Sequence, residues 1–457
     1  MGFTVVESSN EKLSFVIKKN PATAPHIKPV RKGYCIGWFF DKKTPDSNTT
    51  RYVTRFVDVG ENVSFPKNRD DDYDYLPYMQ YCAPALMTVV VKEMFSTVLN
   101  QGAPEDTVSA CSFEQAVVKL SNRAVKLLEK LNTFVKNYEI KITQSKVGDR
   151  CIGMYNFKVS SNQSTISDLL KYVYLLGNVL NCMTFGFSEK PIDSSLDKIV
   201  KIINEINLPY YIRYTIKTHM IGKKEFLRVK SALEGDDKKI VMMQGNTQSQ
   251  RFDFISKNVL NFCASAQKNR HIVDIGCGEG YYVKGILELL KSKKQSVVYH
   301  AHDIESTEMD KIDMLIKTDD DYANVIAYRS FDDLVDALNK LSPDAEIMII
   351  FSEVIEHIPC AEVTNYVVDL INRIKFRKMI VTTPQAEFNV HYLLNPGEFR
   401  HLDHKQEFTK AQFTEIMTDI LTKSVKIRDL DMEYTEIGDV VDGVSMSQGV
   451  VITSKHE

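Results

Sequence analysis

The segment SEVIEHIP at residues 352–359 places two glutamates and a histidine close together, directly after the apolar run EIMIIF at 346–351. If this turn is helical, Glu353, Glu356 and His357 stand at positions i, i+3 and i+4, so their side chains share one face. Two carboxylates and one imidazole at that spacing suit a divalent cation. A lone glutamate would more simply be a solvated or capping residue, but the three together at the end of a strand favour a metal site.

A glycine-rich loop provides a second group of candidate residues. The apolar run HIVDI at 271–275 is followed by GCGEG at 276–280 and then by residues with helical periodicity. Glycines in such a loop let the backbone turn tightly and approach a ligand closely, and a carboxylate at the end of the next strand can accept both ribose hydroxyls of an adenosine. The candidate cofactor residues are therefore Asp274, Gly276, Gly278, Gly280 and Asp303. The loop lacks Gly-Lys-Ser/Thr and is not a P-loop, whereas a nicotinamide cofactor remains an alternative from these residues alone.

These candidates are positioned by a regular alternation of strand-like and helix-length segments from residue 271 onward. Strands are predicted at HIVDI (271–275), SVVYHAH (296–302), NVIAY (324–328), EIMIIF (346–351) and KMIVTT (378–383). This rhythm predicts a parallel α/β sheet, in which ligands bind at the carboxyl ends of the strands. VKIRDLDMEY (425–434) and QGVVITS (448–454) follow as an antiparallel pair, which completes the seven-stranded, Rossmann-like sheet typical of class I methyltransferases.

Ser330 follows the third predicted strand and is a further candidate for the cofactor site. A polar side chain at this position would contact the adenine ring. The neighbouring Asp332 and Asp333 are more simply explained as charges at the N-terminus of a helix.

The first half of the chain lacks the strand-helix rhythm, which predicts an α+β domain. Helices are predicted at 112–135, 166–181 and 196–206, and hairpins at 138–143 with 151–159 and at 210–217 with 225–230. The polar stretch GDDKK at 235–239 is the best candidate boundary, and a helix at 242–262 would lead into the second domain. We therefore predict two domains, at 1–240 and 241–457.

The composition is that of folded globular domains and gives no sign of a membrane protein. Of the 457 residues, 44% are hydrophobic and 26% are charged. No apolar stretch approaches the roughly 20 residues of a spanning helix, and the first residues do not resemble a secretory signal, so we expect a cytoplasmic protein. The formal net charge of −3 means that nucleic acid would have to be bound by local basic patches.

Two further segments carry a resemblance to a known family. TPQAEFN lies at 383–389 and FRHLDHKQEFT at 399–409. Together with EVIEH they resemble the Hen-type small-RNA 3′-terminal 2′-O-methyltransferases, whose pattern runs EVIEH, TPN-x-EFN and DHKFEWT, and the resemblance covers about residues 271–420 in the C-terminal half. Four positions depart from that pattern, which puts the substrate preference in question: Gln385, Gln406, Phe408 and Lys410.

The resemblance implies a metal ion, a methyl donor and an RNA acceptor. Its four metal ligands would be Glu353, Glu356, His357 and His404, with His401 as a competitor for the fourth place, and the ion would be Mg²⁺ or Mn²⁺. The donor would be S-adenosylmethionine. The 2′- and 3′-hydroxyls of a terminal ribose would complete the coordination, so the acceptor would be RNA with a free 3′ end.

The resemblance also implies residues that contact the acceptor. Glu387, Phe388 and Asn389 would line its pocket, and Arg400 or Lys405 would meet the terminal phosphate, although core packing explains Phe388 equally well. The expected product is a small RNA protected from tailing and degradation, as in RNA-mediated gene silencing.

Two other functions remain open from the sequence. One is a metal-dependent O-methyltransferase of a small diol, which would use the same chelate. The other is a non-catalytic RNA-binding scaffold, against which the intact set of candidate ligands argues. The N-terminal half would have an accessory role and would bind RNA, a protein partner or a second copy of the chain.

Overall fold

The structure is a computed structural model that describes residues 3–30, 33–41, 49–58, 82–147, 150–185, 196–206, 208–235, 239–264, 269–425 and 429–455. Contacts within the chain separate it into two compact units, Met1–Asp236 and Asp237–Glu457. A domain boundary after residue 240, as predicted, would cut through the two-residue strand Ile240–Val241. Among the described residues, none of the helices combines the length and the apolar character that crossing a bilayer requires.

The first unit is built on a seven-stranded antiparallel sheet in the order β2-β3-β4-β1-β5-β7-β6. Its strands are β1 (Phe3–Ser8), β2 (His26–Val30), β3 (Gly33–Asp41), β4 (Thr50–Asp58), β5 (Ser109–Lys119), β6 (Glu139–Val147) and β7 (Arg150–Ser164). Its described helices are α1 (Leu13–Val16), α2 (Pro84–Met94), α3 (Ser96–Asn100), α4 (Asn122–Phe134), α5 (Ile166–Phe185), α6 (Leu196–Glu205), α7 (Tyr210–Met220) and α8 (Lys223–Glu234), with a 3-10 turn at Pro21–Thr23.

The α+β prediction for this unit is confirmed, and its elements are confirmed in part. The hairpin of β6 and β7 and the helices α5 and α6 lie where the sequence predicts them, while turn residues 148–149 of that hairpin lie outside the described residues. The predicted helix at 112–135 is wrong in its first part, which is the strand β5, and right in its second part, α4. The predicted hairpin at 210–230 is wrong, because both of its arms are helices, α7 and α8.

The second unit contains the predicted class I methyltransferase sheet. The strands lie in the order β11-β10-β9-β12-β13-β15-β14-β8, with parallel pairing from β11 to β13 and antiparallel pairing of β15 with β13 and β14. They are β8 (Ile240–Val241), β9 (Arg270–Ile275), β10 (Val298–His302), β11 (Val325–Tyr328), β12 (Glu346–Ser352), β13 (Lys378–Pro384), β14 (Leu430–Val441) and β15 (Val444–Ser454). The short β8 adds an eighth strand that the sequence did not predict.

Helices cover both faces of this sheet. They are α9 (Thr247–Cys263), α10 (Tyr281–Ser292), α11 (Ser306–Thr318), α12 (Phe331–Asn339), α13 (Cys360–Arg373) and α14 (Lys410–Lys423), with 3-10 turns at Asp320–Tyr322, Ile355–His357 and Ala386–Tyr392. Two buried apolar clusters, one on each face, fill the space between helices and sheet. The strands β9, β10, β12 and β13 are parallel neighbours, so the loops after them meet at one edge, where the candidate residues lie.

Candidate metal centre and cofactor loop

The glycine-rich loop after β9 takes left-handed conformations that glycine adopts without strain. The φ angles of Gly276, Gly278 and Gly280 are 75°, 49° and 77°. A Cβ atom on Gly276 would lie 2.5 Å from the Cγ2 atom of Val354, in the segment that follows β12. The loop therefore comes too close to that segment for a side chain at this position.

The two candidate aspartates differ in their surroundings. The carboxylate of Asp303 accepts hydrogen bonds from the amides of Gly278 and Glu305, both at 2.9 Å, and is fixed beside the loop. Asp274 is buried and accepts a hydrogen bond from the Tyr299 hydroxyl at 3.0 Å. Burial, assisted by the charge of Asp303, raises the pKa of Asp274 to about 7. Asp303 thus lies beside the glycine-rich loop, where its contact with a ribose stays a prediction, while Asp274 lies in the interior.

Ser330 caps the helix α12. Its hydroxyl accepts a hydrogen bond from the amide of Asp333 at 3.4 Å, and Asp332 pairs with Arg373 at 2.6 Å. These contacts agree with the helix-terminal explanation of the two aspartates. Contact of Ser330 with adenine stays a prediction.

Three of the four predicted metal ligands come together at the carboxyl edge of the sheet. Glu356, His357 and His404 each offer one ligand atom, and these atoms all lie within 4.8 Å of one another. The first two lie in the turn Ile355–His357 after β12, and His404 lies in the loop before α14. The amides of Lys405 and Gln406 donate to the carbonyl oxygen of Glu356 at 2.8 and 3.3 Å, and these bonds hold the two loops together.

The buried carboxylate of Glu356 fits a cation. Its Oε2 atom accepts a hydrogen bond from the Thr383 hydroxyl at 3.0 Å, whereas its Oε1 atom is buried with no hydrogen-bond partner among the described residues. Burial, and then the nearby charge of Glu353, raises the pKa of Glu356 well above its ordinary value. An unpartnered buried carboxylate oxygen is unfavourable unless a cation compensates it. One carboxylate with two imidazoles suits Mg²⁺ or, because of the nitrogen ligands, Mn²⁺.

Glu353 does not join this trio, and the helical turn predicted to align it with the others is wrong. Its φ angle of 58° turns the chain before the 3-10 helix begins at Ile355. Its amide continues the pairing with β13 by donating to the carbonyl of Thr382 at 2.9 Å. Its carboxylate pairs with Arg251 at 3.2 Å and accepts a hydrogen bond from the Thr382 hydroxyl at 3.2 Å. Its role as a ligand remains a proposal.

His404 is oriented by a residue that the sequence did not single out. Its Nδ1 atom lies 2.7 Å from Oε1 of the fully buried Glu407, which also accepts hydrogen bonds from the Arg400 amide and the Asn389 side chain. With Nδ1 engaged in this way, Nε2 is left to act as the metal ligand. The spacing of i and i+3 between His404 and Glu407 is the sequence signal that could have indicated this pair.

The alternative ligand His401 lies next to His404. Their ring centroids are 5.1 Å apart. His401 is exposed and is not part of the trio. The structure therefore favours His404 over His401 as the ligand.

Most of the predicted substrate residues have structural partners. Arg400 is nearly buried and donates to Oδ1 of Asn389 and to the carbonyls of Gln385 and Met446, each at 2.7 Å, so contact with a terminal phosphate stays a prediction. Asn389 belongs to the same network.

The other three substrate candidates differ in exposure. Phe388 is fully buried, so the packing explanation holds for it. Glu387 is exposed but accepts hydrogen bonds from the Lys410 amide at the start of α14. Lys405 is exposed and directly follows His404 in the chain. Of the five predicted residues it is the one best placed to reach a substrate.

The residues that depart from the family pattern also make contacts inside the second unit. Gln406 donates to the carbonyls of Ile355 and Ile358 at 3.3 and 2.6 Å and so ties its loop to the metal-ligand turn. Gln385 accepts a hydrogen bond from Ser445 at 2.6 Å. Phe408 is buried in the core. These substitutions are therefore accommodated by packing and do not remove a candidate ligand.

Comparison with known protein families shows to which family the chain belongs. A family model described as the Hen1 N-terminal domain matches residues 3–238, which is more than half of the chain. The chain belongs to the Hen1 family. The resemblance found in the sequence is thus confirmed, and it extends to the N-terminal half, where sequence reasoning had found none.

Individual members of the Hen1 family show the same relationship. A small RNA 2′-O-methyltransferase from Caenorhabditis elegans is 30% identical over 183 residues, which are 36% of this chain and 40% of that protein. This chain therefore spans less than half the length of that relative. A chain in the structure of the Pnkp1/Rnl/Hen1 RNA repair complex is 22% identical, with a TM-score of 0.73 over 99% of this chain and all of that one. A second structure of the Pnkp1/Rnl/Hen1 complex gives a TM-score of 0.71 at 21% identity. The fold of these chains is shared over 99% of this chain.

Proposed function

We propose that this chain transfers a methyl group from S-adenosylmethionine to the 2′-hydroxyl at the 3′ end of RNA, with the help of Mg²⁺ or Mn²⁺. The observation that carries the proposal is the trio of Glu356, His357 and His404, of which Glu356 and His404 are buried, at the same sheet edge as the glycine-rich loop. Membership of the Hen1 family, and a relative named for small RNA 2′-O-methylation, support RNA as the acceptor.

Different residues of the second unit would bind the methyl donor and the RNA acceptor. The carboxylate of Asp303, held by two backbone amides, has free lone pairs for the ribose hydroxyls of the methyl donor. Glu356, His357 and His404 would hold the metal, which supplies Lewis acidity that makes a neighbouring hydroxyl easier to deprotonate. Glu407 keeps His404 in the required orientation. Holding acceptor and donor in line lowers the entropic cost of the transfer.

Selectivity for an RNA end would follow from the need for two adjacent hydroxyls. A DNA end lacks the 2′-hydroxyl, and a phosphorylated or internal ribose lacks a free 3′-hydroxyl. Protection of the terminus from tailing and degradation would follow from the methyl group.

The test is transfer of a labelled methyl group from S-adenosylmethionine to one RNA sequence with a free, a 3′-phosphorylated or a terminal 2′-deoxy end. We expect transfer to the free end only, abolished by a chelator and restored by Mn²⁺ or Mg²⁺. Equal transfer to free and blocked ends would remove the proposed function. Transfer to a small diol but not to RNA would favour the alternative O-methyltransferase.

The variant Glu356→Ala tests the role of the trio in the same assay. Outer-shell residues of metal sites typically contribute about 10–100-fold, so loss of a ligand should reduce transfer by more than about 100-fold. Glu362→Ala, at an exposed position at the start of α13, is the matched control and should transfer at the wild-type rate. Wild-type turnover by Glu356→Ala would contradict the assignment.

The first unit, Met1–Asp236, would have an accessory role in binding RNA, a protein partner or a second copy. What supports this is that it forms its own compact unit and matches the Hen1 N-terminal domain. The similar chain in the Pnkp1/Rnl/Hen1 complex was seen in an assembly with other proteins.

A further inference from the structure

Glu353 is held by a positively charged side chain. The Nη1 atom of Arg251, in α9, lies 3.2 Å from Oε2 of Glu353, and the other carboxylate oxygen accepts a hydrogen bond from Thr382. Both side chains are largely withdrawn from water, with exposed fractions of 14% for Arg251 and 20% for Glu353. Their ion pair is therefore much less screened than one at the surface.

The pair belongs to a closed set of polar contacts. Tyr282 is hydrogen-bonded to Arg251, its hydroxyl lies 3.0 Å from Oγ of Ser352, and Ser352 lies 2.7 Å from the hydroxyl of Thr382. Thr382 in turn contacts Glu353. This ring holds the Glu353 carboxylate beside Arg251, next to the trio but outside it.

The backbone of Glu353 is anchored independently of its side chain. Its amide donates to the carbonyl of Thr382, and its φ angle of 58° sets the direction in which the side chain leaves the strand. A rotation of the side chain alone, with the backbone unmoved, would take the carboxylate away from Arg251. The charge of Arg251 also acts on Glu356, so the guanidinium balances both glutamates.

We propose that Arg251 is a positioning residue. In the metal-free protein it binds the Glu353 carboxylate, and when the trio binds a metal ion this carboxylate leaves Arg251 and binds the ion. This inference rests on the metal site of the proposed function. Binding would then break one buried ion pair and make one carboxylate–metal contact. Arg251 would thus weaken the affinity of the site for metal and stabilise the metal-free protein.

The two possible roles of Arg251 predict opposite effects of its removal. If Arg251 keeps Glu353 from the metal, its loss leaves two uncompensated carboxylates that attract a cation more strongly. If Arg251 instead orients Glu353 while the metal is bound, its loss weakens metal binding, as loss of an outer-shell partner does.

The experiment is a titration of the full-length chain with Mn²⁺, in which free Mn²⁺ is followed by electron paramagnetic resonance. For Arg251→Met we expect metal affinity about 10-fold higher than for the wild type, and a lower Tm in the presence of chelator. Weaker or unchanged metal affinity of Arg251→Met would contradict the proposed exchange, in which the Glu353 carboxylate moves from Arg251 to the metal. Arg251→Lys keeps the charge but has a shorter side chain, so it should raise the metal affinity less. It provides a second variant in case Arg251→Met does not fold. Weaker metal binding by Arg251→Lys would also contradict the proposed movement of Glu353 from Arg251 to the metal.

The matched controls separate this inference from the metal site itself. In a Glu353→Gln background, Arg251→Met should raise the affinity by much less than it does with Glu353 present, because only the effect of the Arg251 charge on Glu356 is lost and no carboxylate is left to exchange. Arg329→Met, which removes an exposed arginine paired with Asp310 and Asp313, should leave it unchanged. If the wild-type chain binds no Mn²⁺, both the metal site and the movement of Glu353 to the metal are contradicted. If the wild type binds Mn²⁺ and Arg251→Met binds it more weakly, only the movement of Glu353 is contradicted.

Discussion

Glu407 shows how the site depends on a carboxylate that would not touch the metal. Burial by itself would raise the pKa of Glu407, but hydrogen bonds from His404, from the amide of Arg400 and from Asn389 lower it below its ordinary value. The side chain is therefore an ionised acceptor in the interior, and it fixes the ring of His404.

Glu407→Gln should weaken metal binding without unfolding the chain. The neutral amide keeps the size of the side chain but removes the charge that orients His404, so we expect the Kd for Mn²⁺ to rise by about 10–100-fold. Titration with Mn²⁺ measures it, and a methyl-transfer assay at high Mn²⁺ should recover activity. Glu415→Gln, at an exposed position of α14, is the control and should bind as the wild type does. An unchanged Kd for Glu407→Gln would show that His404 needs no orientation.

At this scale the sequence indicated the ligands better than their supports. Glu356, His357 and His404 could be predicted as ligands because their residue types and their motif are visible in the sequence, and the structure brings them together. Arg251 was missed, since its role depends on a contact that only the fold creates, between α9 and the segment after β12. Glu407 was missed although its spacing of three residues from His404 allows the contact. Arg400 was assigned to the substrate through the family resemblance, and the structure shows that it also donates to backbone carbonyls.

At the scale of elements, the glycine-rich loop is limited by the space around it. We expect Gly276→Ala to reduce the affinity for S-adenosylmethionine by at least about 10-fold, because its Cβ atom would meet Val354 at 2.5 Å and displace the loop. Isothermal titration with the donor measures this. Gly443→Ala is a matched control, since that glycine also has a positive φ, 82°, but no atom within 4 Å of its Cβ position. It should lose some stability and no donor affinity. Equal donor affinity in both variants would contradict a tightly packed loop.

The strands β9 and β10 carry a buried histidine pair that should make the second unit sensitive to acid. Nδ1 of His271 lies 2.9 Å from Nε2 of His300, and Nδ1 of His300 lies 3.1 Å from the Tyr328 hydroxyl. Burial, and then the neighbouring His271, lowers the pKa of His300 to about 4. An unfolded histidine has a pKa of about 6.5, so between these values only the unfolded chain takes up this proton.

Stability from His300 is therefore fully present above about pH 6.5 and is lost as the pH falls toward 4, by up to roughly 3 kcal/mol. Unfolding by denaturant at pH 7.5 and at pH 5 measures the loss. In His300→Gln the difference in unfolding free energy between pH 7.5 and pH 5 should be smaller than in the wild type. The same pH dependence in both proteins would show that this histidine does not contribute.

The parallel sheet was predictable because each strand is a short apolar run separated from the next by a helix-length segment. The strand β5 was not, because a bulge disrupts its alternation: the register with β7 shifts between Gln115 and Val118, and Val117 has a φ of 62°. The helices α7 and α8 were mistaken for strands because α7 is rich in aromatic and β-branched residues. Its buried positions, among them Tyr210, Arg213 and Ile216, nevertheless have helical spacing.

At the scale of the whole molecule, the chain consists of two compact units, and the start of the second is defined by specific contacts. The strand β8 pairs with β14. The amide of Met243 donates to the fully buried Asp439 at 2.7 Å, and Gln250 donates to the same oxygen at 2.9 Å. Residues 239–243 therefore belong with the second unit.

A fragment of residues 237–457 should fold cooperatively, bind S-adenosylmethionine and methylate a short RNA. A fragment of residues 244–457 loses β8 and one donor to a buried carboxylate, so its Tm should be lower by at least about 3 °C, given that 1 kcal/mol corresponds to about 2–4 °C at this size. Calorimetry of the two fragments measures the difference. A longer fragment that shows no cooperative transition would mean that the second unit depends on the first.

Crystals of the chain soaked with Mn²⁺ test the metal centre most directly, by anomalous scattering at the manganese edge. We expect one strong peak within about 2.0–2.3 Å of Oε1 of Glu356 and of a ring nitrogen of both His357 and His404, with the Glu353 carboxylate moved from Arg251 to the same ion. Absence of manganese from this position, with these side chains bound only to protein atoms, would contradict metal-assisted methyl transfer at this edge of the sheet.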